Sequence, residues 1–107
     1  MDDNRTFEKL RAFVSALNRR FPNGNDPFQI MTRLLEECGE LAQQVNHFEA
    51  SGIKREKYGE PDKVKLAQEV KGVLSCAMQV AIYYEIENEL AESIETSYQR
   101  VSVEGLI

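Results

Sequence analysis

The chain has 107 residues, and a length of this order predicts a single domain over residues 1–107. Hydrophobic residues make up 42% and charged residues 29%, a balance that is typical of globular chains and excludes extended disorder. Thirteen Lys and Arg against eighteen Asp and Glu leave a net charge of −5, so a broad basic surface for a nucleic-acid polymer is excluded.

The sequence contains no run near the roughly 18 apolar residues that a membrane helix needs. Its first ten residues, MDDNRTFEKL, have neither signal nor transit character. Cys38 and Cys76 follow no zinc-binding spacing, and we expect two reduced, buried thiols. These features favour a cytoplasmic protein without a membrane partner.

Apolar residues that recur every three or four positions predict two helices in the first half of the chain. The first covers about residues 5–19 and the second about 27–50. Asp26 is the expected N-cap of the second helix, with Pro27 at its first position and Gln29 completing a capping box. The expected apolar seam of the second helix consists of Leu34, Cys38, Leu41, Val45 and Phe48.

A long connection over residues 51–62 precedes a third predicted helix that begins near Asp62. A fourth helix follows without an intervening Gly or Pro, and we expect the bend between them at Glu87 and Asn88. Residues 101–107 lack a helical period and are expected to form a tail. The predicted fold class is all-α, an antiparallel bundle of about four helices that is completed by a second chain.

Three carboxylates crowd into one and a half turns of the second predicted helix: Glu36, Glu37 and Glu40. At about 100° per residue, Glu37 and Glu40 lie beside the apolar seam. Like charges at this spacing repel one another, so the cluster favours a nearby positive charge. A solvated acidic face is the alternative interpretation.

Glu69 falls within the apolar arc of the third predicted helix, where a carboxylate is costly unless it is paired or bound to a metal. One interpretation is an ion pair with Arg33 or Lys65. The other is that two antiparallel helices bring Glu69 to Glu37 and Glu40.

Carboxylates without histidine are typical ligands of a hard cation, so the second interpretation predicts Mg²⁺ or Mn²⁺. A ferritin-like di-iron site needs Glu-x-x-His on two helices. The one histidine of the chain, His47, follows Gln44 at that spacing, so iron is not expected.

The segment LLEECGELAQQV, followed by Glu69 in AQEVKGVLSCAMQVA, resembles the MazG-like nucleotide pyrophosphohydrolases, an all-α family that includes dCTP pyrophosphatases and dimeric dUTPases. The family signature is E-x-x-E on one helix and E-x-x-D on the next. Glu37 and Glu40 match its first half, and the resemblance covers residues 26–100.

The resemblance implies a Mg²⁺-dependent enzyme that cleaves nucleoside triphosphates, bound as metal complexes, to monophosphate and pyrophosphate. Glu37, Glu40 and Glu69 are then the expected metal ligands, with Glu36 and Glu37 as catalytic residues that orient water. The resemblance also implies a homodimer or a dimer of dimers, because family active sites are bounded by helices from two chains.

Gly72 stands where the family pattern has its aspartate, three residues after Glu69. Three interpretations follow from this departure: a weakened enzyme, a one-metal variant, or a descendant without catalysis. Accordingly, a non-catalytic helical nucleotide-binding or assembly module is the alternative function. A plain helical interaction domain is a third hypothesis, but it leaves Glu69 unexplained.

Four further residues are candidates for substrate binding. His47 stands where some family members stack an aromatic ring on the nucleobase, and an ordinary surface histidine is the alternative. Lys54 and Arg55, with Lys57, form a basic segment that could cover the β and γ phosphates, or simply remain solvated. Arg100 lies near the end of the fourth predicted helix, where related proteins carry phosphate-binding residues.

Overall fold

The computed structural model of the chain describes residues 5–50 and 52–107, without the side chains of residues 52–54. The fold class is confirmed as an all-α helix bundle. In chain order, the helices of the described residues are α1 (Thr6–Arg20), α2 (Pro27–Glu49), α3 (Gly52–Tyr58), α4 (Lys63–Tyr83) and α5 (Glu87–Val103).

The bundle is organised around α4, against which α1, α2 and α5 each pack. Val14 of α1 is buried with Met78 and Ala81 of α4, and Leu90 of α5 packs against this cluster. On the other side of α4, Cys76 and Ile30 are buried where α2 runs antiparallel to it. Of the helices that the structure describes, none combines the length and the apolar character needed to cross a membrane.

Local capping chemistry determines where α2 begins. The carboxylate of Asp26 accepts a hydrogen bond from the backbone N–H of Gln29 at 2.9 Å, and the Gln29 side chain accepts from the N–H of Asp26 at 3.3 Å. Pro27 occupies the first helical position, where no backbone N–H is needed. The predicted capping box is therefore confirmed. It sets the register of the helix that carries Glu37 and Glu40.

The predicted long connection over 51–62 contains the short helix α3, so the described residues form five helices where about four were expected. The predicted bend at Glu87 and Asn88 is also wrong, because both residues lie in the first turn of α5. The α4 helix ends at a Schellman motif centred on Glu85 (φ 55°), in which the N–H of Ile86 bonds to the carbonyl of Ala81 at 3.0 Å. Nothing in the sequence marks Glu85 as a left-handed residue in the way that a glycine would mark the end of a helix.

The predicted tail over residues 101–107 is wrong for Val101–Val103, which continue α5. Gly105 (φ 82°) ends this helix through the same motif, with the N–H of Leu106 bonded to the carbonyl of Val101 at 3.2 Å. Here the glycine signal was present in the sequence, two residues after Val103, where α5 ends.

The expected apolar seam of α2 divides into two faces. Leu34, Leu41 and Phe48 are half-buried, whereas Val45 and Cys38 are exposed. The expectation of two buried thiols is thus correct for Cys76 and wrong for Cys38. The physical reason is that α4 packs against one side of α2, so seam residues on the other side of α2 stay exposed.

Candidate metal centre

Glu37 and Glu40 on α2 lie opposite Glu69 on α4. One carboxylate oxygen of each residue lies within 4.8 Å of the other two. Glu37 and Glu69 are half-buried between the helices, and Glu40 is exposed at the edge. Three hard oxygen ligands from two helices form a geometry that suits a divalent cation such as Mg²⁺ or Mn²⁺.

The three carboxylates carry like charges that repel one another at Glu37. The pKa of Glu37 lies above its ordinary value of 4.5, because the helices bury it and because Glu40 and Glu69 carry like charges nearby. The charge of Glu36 adds a smaller effect in the same direction. A bound cation would relieve this repulsion.

The alternative of an ion pair for Glu69 finds no support among the described side chains. Arg33 points away from Glu69 and donates hydrogen bonds to the carbonyl of Gly24 (2.6 Å), to Asn25 (3.0 Å) and to Gln79 (3.2 Å). The ion pairs between described residues join Arg11 to Glu87 and Arg55 to Glu60. In this part of the chain, the three glutamates therefore have no paired cation.

Gly72 lies against the same cluster. A Cβ atom built on Gly72 would lie 2.8 Å from Cδ and 3.1 Å from Oε2 of Glu37, closer than van der Waals contact allows. The carboxylate of Glu37 thus uses the space that any other residue at position 72 would fill. Position 72 belongs to the centre geometrically, although glycine contributes no ligand.

Lys71 follows Glu69 by two residues but does not enter the centre. Its ammonium group lies 5.6 Å from the ring centroid of Phe13 on α1. Two residues along a helix correspond to about 200° of rotation, so Lys71 lies on the opposite side of α4 from Glu69. The cluster therefore keeps its negative charge despite this neighbour.

Glu36, the other expected catalytic residue, is exposed on α2 and lies outside the group of three converging carboxylates. Its electrostatic influence reaches Glu37. In this arrangement, the described carboxylates nearest the shared centre are Glu37, Glu40 and Glu69.

A cavity of about 530 Å³ continues the groove between α2 and α4 beyond the three glutamates. Gln44 lies one helical turn after Glu40, and Lys65 lies one turn before Glu69, so the cavity adjoins the carboxylates on both helices. A cavity of this size is within the range of pockets that hold small organic ligands. Its lining consists of Gln43, Gln44, His47, Tyr58, Glu60, Asp62 and Lys65.

His47, expected as a possible base-stacking residue, lines this cavity and is half-buried. Its Nε2 lies 2.8 Å from the carbonyl oxygen of Gly59, which can only accept a hydrogen bond, so Nε2 carries the proton. The imidazole meets Tyr58 edge-on at a centroid distance of 6.3 Å. His47 therefore helps hold the end of α3 over the cavity.

The basic segment after α2 is partly engaged in the fold. Arg55 donates to the carbonyl of Phe48 at 3.0 Å and to Glu60 at 3.0 Å, which fastens α3 to the end of α2. The ammonium group of Lys57 lies 5.4 Å from the ring centroid of Tyr58. Lys54 belongs to α3, and its side chain lies outside the described residues.

Arg100 lies in the last turn of α5 and is exposed. The helix α5 packs against α4 rather than against α2, and its contact with the core is made by Leu90 near its start. Within the described part of the chain, Arg100 has no hydrogen bond or ion pair that joins it to the three glutamates.

Several cavity residues were not among the expected substrate-binding residues, notably Gln44 and Lys65, although Lys65 was considered as an ion-pair partner of Glu69. Both could have been found by extending the glutamate positions by one turn along each helix, because residues four apart lie on the same face. Tyr58 and Glu60 could not, since their position depends on how α3 folds back over the groove.

Comparison with known proteins gives one informative similarity. The chain is 34% identical over 99 residues to the uncharacterized protein YpjD of Bacillus subtilis (strain 168), an alignment that covers 92% of this chain and 81% of that protein. No family model and no solved structure matches the chain.

Proposed function

This chain belongs to the same family as the uncharacterized YpjD protein of Bacillus subtilis, and we propose that it is a MazG-like, metal-dependent nucleoside triphosphate pyrophosphohydrolase. The observation that carries the proposal is the convergence of Glu37, Glu40 and Glu69, with a carboxylate oxygen of each within 4.8 Å of the others. In keeping with that substrate class, we propose a cytoplasmic location.

The donor set fits a hard divalent cation. The ligands are carboxylate oxygens on two rigid helices, and no cation from the described residues pairs with them. Glu37, Glu40 and Glu69 would hold Mg²⁺ or Mn²⁺. A bound cation of this kind neutralises polyphosphate charge and lowers the pKa of a coordinated water.

The adjoining cavity supports a substrate with an organic part as well as phosphates. Its lining offers the side-chain amides of Gln43 and Gln44, the rings of His47 and Tyr58 and the ammonium group of Lys65. Amides and rings suit a nucleobase and a sugar. Lys65 lines the cavity one helical turn before Glu69, where its ammonium group can meet a phosphate. A triphosphate without metal would be repelled by the glutamates.

Gly72 favours a second candidate, a non-catalytic module that binds a nucleotide without turning it over. The resemblance implies four carboxylates, and this chain supplies three at the centre, with Glu37 filling the space beside Gly72. Loss of one ligand weakens metal binding, and catalysis by the metal would fall with it.

The deciding experiment separates turnover from binding. Pyrophosphate release is measured over a panel of nucleoside triphosphates with Mg²⁺, with Mn²⁺ and with chelator, and calorimetry measures the binding of a non-hydrolysable triphosphate under the same conditions. Metal-dependent release supports the enzyme. Metal-dependent binding without release supports the module, and the absence of both overturns the two candidates.

Two variants make the test specific to the centre. Glu69→Gln removes one of the three charges at the centre and should abolish the metal-dependent signal. Glu92→Gln removes the same charge from an exposed position on α5 and should leave the signal unchanged. Equal losses in both variants would mean that net charge, not the cluster, governs the signal.

A further inference from the structure

The ring of Tyr58 is an accessible aromatic surface in the cavity that adjoins the three glutamates. Tyr58 is the last residue of α3 and lines this cavity, yet it is 61% exposed. The ring is therefore not part of a packed core. An aromatic ring that is open to a cavity is the kind of surface on which a flat heterocycle stacks.

Tyr58 lies about two helical turns from the glutamates, measured along α2. Its ring meets the ring of His47 at a centroid distance of 6.3 Å. His47 follows Glu40 by seven residues, which corresponds to about 10 Å along the helix axis. A nucleotide whose phosphates lie at the glutamates carries its base at a distance of this order, because the ribose and the first phosphate lie between them.

The backbone on each side of Tyr58 is fastened to α2. Three residues before it, Arg55 donates a hydrogen bond to the carbonyl of Phe48 at 3.0 Å. One residue after it, the carbonyl of Gly59 accepts a hydrogen bond from Nε2 of His47 at 2.8 Å. Gly59 has a φ of 82°, which favours glycine and ends α3 at this point. Tyr58 is thus held over the cavity before a ligand binds, which lowers the entropic cost of binding.

The angle between the two rings decides how a base can stack on them. The planes of His47 and Tyr58 are inclined by 72°, an edge-on contact. A base that is parallel to Tyr58 therefore stands at a steep angle to His47, so one base cannot stack on both rings. His47 is half-buried and already donates to Gly59, whereas Tyr58 is more than half exposed. The ring that is open to a ligand is that of Tyr58.

We propose that Tyr58 is the residue on which the base of the substrate stacks, and that His47 is a positioning residue that holds it there. This inference rests on the proposed function, because it concerns the base of a nucleoside triphosphate. Such a stack favours a ligand with a base over an inorganic polyphosphate, and it tolerates different bases because every base has a π-face. The ammonium group of Lys57, 5.4 Å from the ring centroid, further orients the ring.

A fluorescent reporter tests whether a base meets residue 58. The chain contains no tryptophan, so Tyr58→Trp introduces a single indole at the proposed contact. With Mg²⁺, a non-hydrolysable nucleoside triphosphate should quench its fluorescence, and inorganic tripolyphosphate, which has no base, should not. Tyr98→Trp places the same reporter on α5, where the residue is 56% exposed, and should respond to neither ligand. Equal quenching of Tyr58→Trp by both ligands, or no quenching while calorimetry shows that the nucleotide binds, overturns the proposal.

Calorimetry with the same two ligands measures the effect of the ring on affinity. Tyr58→Ala should weaken binding of the nucleotide about 5- to 100-fold, the usual effect of removing one base stack, and should leave binding of tripolyphosphate unchanged. Tyr58→Phe keeps the ring and should bind both ligands as wild type does. Equal weakening for the two ligands, or unchanged nucleotide binding by Tyr58→Ala, overturns the role of Tyr58 alone. A wild-type chain that binds neither ligand with metal overturns the proposed function, and this inference with it.

The role of His47 is tested through its coupling to Tyr58. His47→Leu removes the hydrogen bond to Gly59 and should weaken nucleotide binding, whereas His47→Gln keeps an N–H donor and should restore most of the affinity. Because His47 acts through Tyr58, His47→Leu combined with Tyr58→Ala should bind the nucleotide about as weakly as Tyr58→Ala alone. Additive losses in the double variant would mean that His47 contacts the nucleotide itself, which overturns its assignment as a positioning residue.

Discussion

Gly72 of α4 lies directly against the carboxylate of Glu37 of α2, across the interface between the two helices. The carboxylate of Glu37 fills the position that a side chain at residue 72 would need, and a Cβ there would lie 2.8 Å from Cδ of Glu37. The absence of a side chain at position 72 therefore leaves room for the carboxylate of Glu37 between the two helices. Several of the expected outcomes below depend on this contact.

Divalent metal should stabilise the fold. A cation that binds only the native state at 100 times its dissociation constant adds about 2.7 kcal/mol to the free energy of unfolding. We expect the melting temperature to rise with Mg²⁺ or Mn²⁺ relative to chelator, and the rise to disappear in Glu69→Gln while persisting in Glu92→Gln. Calorimetric melting curves measure this, and identical wild-type curves with metal and with chelator would exclude the site.

Gly72→Asp should lower the stability of the metal-free protein and raise its affinity for a divalent metal. The new side chain would displace Glu37 and add a fourth negative charge, so the variant should melt below wild type in chelator. With Mn²⁺, its melting temperature should rise more than that of wild type, because four carboxylates bind the cation. If melting temperature and metal affinity both equal those of wild type, residue 72 does not face the centre.

Without metal, the raised pKa of Glu37 should make stability depend on pH. A carboxyl whose pKa is higher in the folded than in the unfolded chain favours folding while it is protonated, and that contribution is lost as pH rises through the folded pKa. The upward shift has burial as its main cause and the charges of Glu40 and Glu69 as further causes.

Accordingly, in chelator, Glu37→Gln should gain free energy of unfolding relative to wild type as pH rises above about 4.5 toward 7. Denaturant titrations of both proteins at several pH values measure the difference. A difference that does not change with pH would show that Glu37 titrates normally.

The two cysteines should differ in reactivity. Burial, together with the nearby charge of Glu37, raises the pKa of the Cys76 thiol, so alkylation of the native protein should leave Cys76 unmodified. Cys38 is exposed, so the same reagent should modify it much faster than Cys76. Mass spectrometry of timed samples resolves both sites. Rapid modification of native Cys76 would contradict the packing of α2 on α4.

Glu85→Gly should stabilise the protein. Glu85 holds a left-handed conformation (φ 55°) that is unfavourable for a residue with a Cβ and free of that cost for glycine. Glycine also has more conformational entropy in the unfolded chain, and this offsets part of the benefit. The expected net gain in the free energy of unfolding is about 0.5–1 kcal/mol. Glu85→Ala keeps the strain and should show no gain, which controls for loss of the charge. A destabilised Glu85→Gly would mean that the α4–α5 break has another origin.

Local signals in the sequence were sufficient to predict most of the helices. The three- and four-residue spacing of apolar side chains and the cap formed by Asp26, Pro27 and Gln29 define α1 and α2 without reference to the rest of the molecule. The start of α4 after Asp62 was equally local. The all-α class follows from these patterns, because a helix is stabilised by residues within a few positions of one another.

The candidate metal centre depended partly on sequence and partly on tertiary structure. The positions of Glu37, Glu40 and Glu69 around their helices indicated which side chains could converge, because helical periodicity determines the face on which each residue lies. Whether a positively charged side chain paired with Glu69 depended on how residues distant in the sequence pack together. Arg33 was a candidate partner of Glu69 on sequence grounds, but in the structure it donates to the carbonyl of Gly24 instead.

Only the tertiary structure decided which apolar positions are covered. One helix neighbour shields only one side of a helix, so Leu34 and Leu41 are half-buried while Cys38 and Val45, with the same periodicity, remain exposed. Likewise, the reason for Gly72 appears only when Glu37 is brought across from α2. Sequence periodicity determined where side chains point on each helix, and the packing of one helix against another determined what they meet.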